Sequence, residues 1–282
     1  MVMSVTTMSA GLPTTRRITV RHVDALPADL PHAGRVAWSI DRDGGRVELV
    51  HTFTVAEISD DAMVLALEGV IDAGALCGQW EFEEAAVGLI RSCSERADDA
   101  WAGFYDNSLR ALRDGTASFA PVHRRARSLI SGSSVLEVGC CFGFFALRCA
   151  EDGLDVAACD ISVGAVDLLT QAARRRDTPV LATVGDATDL DHADSSVDTV
   201  TLIHLLEHLP ADQARAAIIE ALRVARRRVV IAIPYEDRPS EHFGHLVRLG
   251  PENLHAWADE ADHAGAEFLT DHGGWLVLTP RR

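Results

Sequence analysis

Lysine is absent from the 282 residues, so all basic charge rests on 26 arginines, against 42 acidic residues, for a formal net charge of -16. Proteins hold long nucleic acids mainly by neutralising phosphates, so a chain this acidic is not expected to have a nucleic-acid partner. Long apolar runs are missing too. No stretch approaches the ~18 uninterrupted apolar residues of a membrane span, and none is expected. The cysteines at 77, 93, 140, 141, 149 and 159 contain no C-x-x-C pair, which excludes a zinc ribbon and a dithiol redox motif. Four of them fall in apolar runs, where free cysteine packs as a small hydrophobe. Arg16-Arg17 lacks the apolar region of a twin-arginine export signal, because Arg21, His22 and Asp24 interrupt it. The chain reads as reduced, soluble and cytoplasmic. What remains, 48% hydrophobic and 24% charged, is a globular composition, and the length suits one large α/β domain with an extension.

Residues 1–15 read as a loose polar tail. Residues 16–115 read as a small α+β extension. Ile18 to Val20, Val36 to Ile40 and Val47 to Thr54 are β-branched runs, the last two joined by the turn signal Asp43-Gly44-Gly45. Helical spacing follows, with Met63, Val64, Leu67, Val70 and Ile71 on one stripe. A second helical region from Glu81 to Leu112 breaks near Ser92-Cys93-Ser94, and Trp101, Phe104, Tyr105 and Leu109 share a face in it. From 116 to 282 strands alternate with helices, which predicts a parallel sheet covered on both faces, with an antiparallel C-terminal hairpin around His272-Gly273-Gly274.

In such sheets ligands bind beyond the carboxyl ends of the strands, near the switch in strand order. Three acidic residues occupy such ends. Glu137 precedes Gly139-Cys140-Cys141-Phe142-Gly143, Asp160 ends the next strand, and Asp186 follows the third. Asp160 lies about 20 residues beyond the glycine turn, where a carboxylate accepts ribose hydroxyls. The turn reads E-x-G-x-x-x-G rather than the G-x-G-x-x-G of nicotinamide enzymes. A carboxylate ahead of it is unfavourable beside a pyrophosphate and favourable beside a cation, such as the amino group of S-adenosylmethionine.

Val135 to Phe145, Cys159-Asp160-Ile161, Gly185-Asp186-Ala187 and Asp198 to Leu209 together resemble the class I S-adenosylmethionine-dependent methyltransferases. That resemblance implies a Rossmann-like seven-stranded α/β fold from about Val122 onward. It implies a cofactor pocket of Glu137, Gly139, Cys141, Phe142, Gly143, Asp160, Ile161, Asp186, Ala187 and His204. Gly139 and Gly143 would line the methionine part, Asp160 the ribose and Asp186 the adenine amino group. Cys141 replaces the family's middle glycine. Because cysteine resists positive φ, the loop is expected to use ordinary backbone angles. More narrowly, Trp101 to Tyr105, Cys141 to Phe144, His204 to Leu209, Pro234 to Asp237 and Gly273 to Leu278 resemble the mycofactocin oligosaccharide methyltransferases of actinobacteria. The reaction so implied is methylation of a sugar hydroxyl on a glycosylated small molecule.

A sugar hydroxyl is a weak acid, so its methylation calls for a general base or a metal. His204-Leu205-Leu206-Glu207-His208 places three polar residues at i, i+3 and i+4, on one side if the stretch is helical. With His245 it resembles the metal site of small-RNA 2′-O-methyltransferases and, in part, that of ubiquinone-pathway O-methyltransferases. By that resemblance His204, Glu207, His208 and His245 would hold a divalent ion such as Mg²⁺ or Mn²⁺. Those relatives carry glutamate at the position of His204, and imidazole shifts preference toward Mn²⁺, Fe²⁺ or Zn²⁺. The alternative is a metal-free site with His208 or His245 as base and Glu207 structural. An inverted zinc-protease motif is discounted because Pro210 ends the segment. His51, His123, His192, His255 and His263 read as solvated or loop residues, and His242 and His272 as candidates for the site border. Arg174 to Arg176 and Arg226 to Arg228 read as helix-end cations. Two other classes stay open: a nicotinamide-dependent oxidoreductase on a similar sheet, and a non-catalytic cofactor-binding protein.

Overall fold

The computed structural model describes residues 16–41 and 43–281, so the tail expected over 1–15 lies outside the described residues. The described residues divide into two compact units, one of residues 16–118 together with Glu241–Phe243, the other running from Phe119 to Ser240 and from Gly244 onward.

In the first unit, β1 (Arg17–His22), β2 (His32–Ala33), β3 (Val36–Asp41) and β4 (Arg46–His51) form a sheet in the order β1-β4-β3-β2. The β3–β4 hairpin forms where the Asp-Gly-Gly turn predicts it. Asp41 Oδ1 accepts the Gly44 N–H at 2.9 Å, and Gly45 takes a left-handed φ of 58°. Its helices are α1 (Asp60–Asp72), α2 (Gly78–Arg91) and α3 (Ala97–Asp114). Ser59 caps α1 by accepting the Ala62 N–H, and α3 stops at left-handed Gly115. Met63, Leu67 and Val70 bury the expected stripe, with Val64 and Ile71 half-buried at its edge. Phe104, Tyr105 and Leu109 are buried too. His51, expected to be solvated, is buried. Its Nδ1 accepts the Phe53 N–H at 3.1 Å, its Nε2 meets Ser92 Oγ at 2.8 Å, and burial pushes its pKa down to about 4.

The second unit carries α4 (Ala120–Leu129), β5 (Ser134–Val138), α5 (Phe144–Glu151), β6 (Asp155–Asp160), α6 (Val163–Arg175), β7 (Val180–Val184), β8 (Val197–Ile203), α7 (Ala211–Val224), β9 (Ala225–Ile233), α8 (Pro251–Glu260), β10 (His263–Thr270) and β11 (Gly274–Pro280). Its sheet order is β10-β11-β9-β8-β5-β6-β7. β5 to β9 pair in parallel, and β11 and β10 close the sheet antiparallel. The order reverses at β5, which pairs with β6 on one side and β8 on the other, so the switch point lies at its carboxyl end. β8 is buried along its whole length, as a central parallel strand must be. Against it Ala217, Ile218, Ala221 and Val224 of α7 pack with Leu254 and Trp257 of α8.

Arg226 to Arg228 lie inside β9 rather than at a helix end. Arg226 and Arg227 reach Asp198 Oδ1 at 2.7 and 3.1 Å, while Asp198 Oδ2 accepts the Ser133 N–H at 2.9 Å. These bonds, the Ser133 amide first, hold the Asp198 carboxyl down at about 2 and pin the entry of β5 to that of β8. Among the described residues no helix is long and apolar enough to cross a membrane.

Candidate functional site

β5 ends at the switch point, and the chain must turn sharply to enter α5. Gly139 and Gly143 take left-handed φ of 74° and 67°. A Cβ at Gly143 would stand 2.4 Å from Leu169 Cδ1, and one at Gly139 2.7 Å from Leu205 Cδ1, so both positions require glycine for space as well as torsion. Cys141 also takes a positive φ, 49°, against the expectation of ordinary angles. The reason is local: in that conformation its N–H points at Asp160 Oδ2, 2.8 Å away. The left-handed state costs a non-glycine residue roughly 1–2 kcal/mol, and a hydrogen bond to a charged acceptor contributes about 1.5–3 kcal/mol.

Asp160 is thereby bound into the loop. Its Oδ1 accepts the Ser162 N–H at 2.9 Å, and Ser162 Oγ caps α6 through the Ala165 N–H. Burial raises the Asp160 pKa, opposed by these amides. Each oxygen keeps a further lone pair for a donor such as a hydroxyl. Glu137 accepts the Ala146 N–H of α5 at 2.9 Å, and burial pushes its pKa up to about 8. A carboxyl so destabilised in its charged form suits a ligand cation. Asp186 is exposed and turns back on its own loop, Oδ1 accepting from the Thr188 N–H and Oγ at 2.8 Å each. Ile161 stands 55% exposed beside Asp160, an apolar surface at the strand ends. Ala187 is half-buried, and Phe142 is buried with its ring 5.8 Å from Phe144.

The second group lies beyond β8. The segment after Ile203 is not α-helical: His204 takes a φ of 51°, and Leu206–His208 form one 3-10 turn ahead of Pro210. The expected single helical face therefore does not form. Instead the Leu246 N–H donates to the Glu207 carbonyl at 2.8 Å, bringing the loop of His245 alongside. One ligand-capable atom from each of Glu207, His208 and His245 lies within 4.8 Å of the others. His204 stands outside this group. Its Nδ1 is 3.6 Å from Glu207 Oε1, and its ring meets Phe119 edge-on at 4.8 Å. Burial lowers the pKa of both His204 and His208 to about 3, so both stay neutral. Glu207 is 1% exposed with neither oxygen hydrogen-bonded, and burial pushes its pKa up to about 8. An ionised carboxylate in that position costs several kcal/mol unless a cation joins it.

Glu236 was missed as a functional residue. Its Oε2 holds His245 Nδ1 at 2.7 Å, and its Oε1 accepts the Ser240 hydroxyl at 2.7 Å. The available signal was its place just past Pro234, at the carboxyl end of β9. Of the remaining histidines, His123 is buried rather than solvated, edge-on to Phe145, and His192 and His263 are half-buried. His255 is exposed, stacked on Phe268. His242 meets Phe82 edge-on in the first unit, and His272 is exposed at the β10–β11 turn against Asp271.

Comparison with known proteins agrees with this architecture. Residues 135–228 match the family model described as a methyltransferase domain. The chain is 34% identical over 177 residues to the demethylmenaquinone methyltransferase of Renibacterium salmoninarum, covering 54% of this chain and 70% of that one. The chain belongs to the class I S-adenosylmethionine-dependent methyltransferases. It is also 31% identical to the demethylmenaquinone methyltransferase of Paenarthrobacter aurescens over 173 residues, and 41% identical to that of Beutenbergia cavernae over 104. These matches take in 53% and 36% of this methyltransferase and span only 65% and 40% of those relatives. The PH0226 protein of Pyrococcus horikoshii OT3 shares the fold at a TM-score of 0.50 and 17% identity, over 58% of this methyltransferase and 89% of that chain.

Proposed function

We propose that this methyltransferase uses S-adenosylmethionine to methylate a hydroxyl oxygen, with a sugar hydroxyl of a glycosylated small molecule, such as a mycofactocin oligosaccharide, as the acceptor. The observation that carries the donor side is the left-handed loop 139–143 held against Asp160, with the cation-seeking Glu137 beneath it. S-adenosylmethionine supplies a methyl group on a positively charged sulfur. Glu137 faces the donor's charged end, the two glycines let backbone approach it, Asp160 accepts from the ribose, and Ile161, Asp186 and Ala187 border the adenine.

The acceptor oxygen attacks the methyl carbon as the carbon–sulfur bond breaks, its electron pair passing to sulfur, so the hydroxyl proton must leave. Alignment supplies much of the rate, since effective molarities of oriented reactants reach roughly 10⁵–10⁸ M. Glu207, His208 and His245 are assigned to the hydroxyl. An imidazole of His208 or His245 accepts the proton; were a divalent ion such as Mg²⁺ or Mn²⁺ required, Glu207, His208 and His245 would hold it and it would supply Lewis acidity toward the hydroxyl. Residues 116–282 are assigned as the catalytic domain. Acceptor choice is assigned to 16–115, outside the segment that the family model matches.

A second reading comes from the relatives, which are named demethylmenaquinone methyltransferases. Incubating the full chain with methyl-labelled S-adenosylmethionine and either a glucosylated acceptor or demethylmenaquinone separates the two. Label in a sugar methyl ether is expected. Label in the demethylmenaquinone, with none in the glucosylated acceptor, replaces the proposal with the second reading.

A further inference from the structure

We propose that β7 is the edge through which two copies of this chain pair, antiparallel and about a two-fold axis at Ala182. β7 ends the seven-stranded sheet, and among the described residues no strand pairs with its outer side. The direction of its backbone groups follows from the inner side. In a parallel pair every second residue turns both backbone groups to the neighbouring strand, and the Gly185 N–H donates to the Asp160 carbonyl at 3.0 Å. In the register from Val156↔Val180 to Asp160↔Val184, Leu181 and Thr183 therefore turn theirs to β6, while Val180, Ala182 and Val184 turn theirs outward. Outward groups at alternate residues are the donor and acceptor set of an antiparallel ladder. With the axis at Ala182, Val180 meets Val184 of the second copy, Ala182 meets its own equivalent, and Leu181 lies opposite Thr183. The ladder uses residues 180–184 alone, apart from those assigned to the methyl donor.

Side chains and charge select a second copy as the occupant. Natural sheets blunt a free edge with a charge, a bulge or a proline that removes an outward donor. The opposite edge, β10, has the first two: Glu267 is exposed, and the register shifts between His263 and Gly265. β7 reads Val-Leu-Ala-Thr-Val with no charge, and Leu181 is 66% and Val184 54% exposed. Pro179 falls on the parity that faces β6, so the outer edge loses no donor to it. The segment reads nearly the same in both directions about Ala182, as a contact between identical surfaces needs. Charge complements it. The amino end of β7 follows the exposed Arg174 and Arg175 of α6, with Asp177 as the acid between them and the strand. Beyond the carboxyl end stand exposed Asp186, Asp189 and Asp191. Antiparallel pairing sets each basic end beside an acidic one. The net charge of -16 repels between copies, but beyond about 8 Å that repulsion is largely screened at physiological salt. A five-residue strand pair buries less than a standard interface, so the dimer forms and dissociates with concentration. Because β10 is blunted, assembly closes at two copies.

The test is sedimentation equilibrium of the full chain over a concentration series, with amide exchange resolved to single residues at its lowest and highest points. The weight-average mass is expected to rise from one chain to twice that value and no further. The Ala182 and Val184 amides, open in the monomer, should slow as the dimer fills, while those of Leu181 and Thr183 stay slow throughout on their bonds to β6. Leu181→Lys adds a charge at an already exposed position and should abolish the dimer. Ala182→Pro deletes the outward donor at the axis while keeping every bond to β6, and should abolish it as well. Circular dichroism and the urea midpoint establish that each variant is folded. If Ala182→Pro unfolds, Leu181→Lys and the exchange rates decide. A monomer at every concentration overturns the pairing, as does a dimer that survives in folded Leu181→Lys. Mass beyond two chains overturns the two-fold closure. A dimer whose Ala182 and Val184 amides exchange as fast as the monomer's has its contact elsewhere, which also overturns it.

Discussion

Replacing Glu137 by glutamine removes a buried group whose ionisation opposes folding. The carboxyl is 6% exposed, and burial lifts its pKa from 4.5 to about 8, against the opposing hydrogen bond from Ala146. A raised folded-state pKa gives stability that is complete below the unfolded value and is lost as pH rises through the folded one. Between those limits the unfolded chain ionises while the folded chain keeps its proton, at a cost of about 1.4 kcal/mol per pH unit. From about pH 5.5 to about pH 7.5 the ligand-free protein should therefore lose up to roughly 2–3 kcal/mol through this residue. Glutamine keeps an oxygen for the Ala146 N–H and does not titrate. Glu207 shifts in the same direction but is common to both proteins and cancels in the difference. Urea unfolding of Glu137→Gln and of the parent at both pH values measures it. The variant should gain on the parent by that amount as pH rises, while losing affinity for S-adenosylhomocysteine because the ligand's ammonium has lost its counter-charge. Parallel pH profiles for the two proteins would refute the reasoning.

Cys141→Gly relieves the left-handed backbone and should be neutral to about 1 kcal/mol stabilising, whereas Cys141→Val should cost at least ~1–2 kcal/mol, both read from denaturation midpoints. Gly143→Ala forces a Cβ to 2.4 Å from Leu169 at a φ of 67°, so it should destabilise by roughly 1–3 kcal/mol and weaken S-adenosylhomocysteine binding in calorimetry. Asp198→Asn removes charge from the pair with Arg226 and Arg227 and should cost about 1–3 kcal/mol near neutral pH. Its pKa is depressed, so the parent's advantage exists above about 4 and should fade as pH falls toward 2, followed by acid unfolding.

The β/α alternation, the β3–β4 turn and the closing hairpin were legible because burial imposes the period and Asp-Gly-Gly or His-Gly-Gly fits a turn. The strand-end carboxylates were legible for the same reason: the sheet topology fixes where each strand stops. What escaped was settled by contacts between distant segments. Cys141 adopts positive φ because Asp160 waits for its amide, a partner that residue propensity does not include. The H-x-x-E-H string suggested one helical face, yet Pro210 permits only a 3-10 turn, and His204 leaves the group that Glu207 and His208 form with His245. Glu236 gains meaning only once the β9 loop folds back beside His208. Arg226 and Arg227 looked like helix-end cations because nothing local marks Asp198 as their partner. His51 and His123 are buried by neighbours far along the chain.

The central claim is that an adenosyl donor sits at the carboxyl ends of β5 and β6. A crystal of the full chain soaked with S-adenosylhomocysteine tests it directly. The expected density places the ribose hydroxyls on Asp160 and the amino acid end beside Glu137 and the 139–143 loop. Density elsewhere, or none at a saturating concentration, contradicts the account.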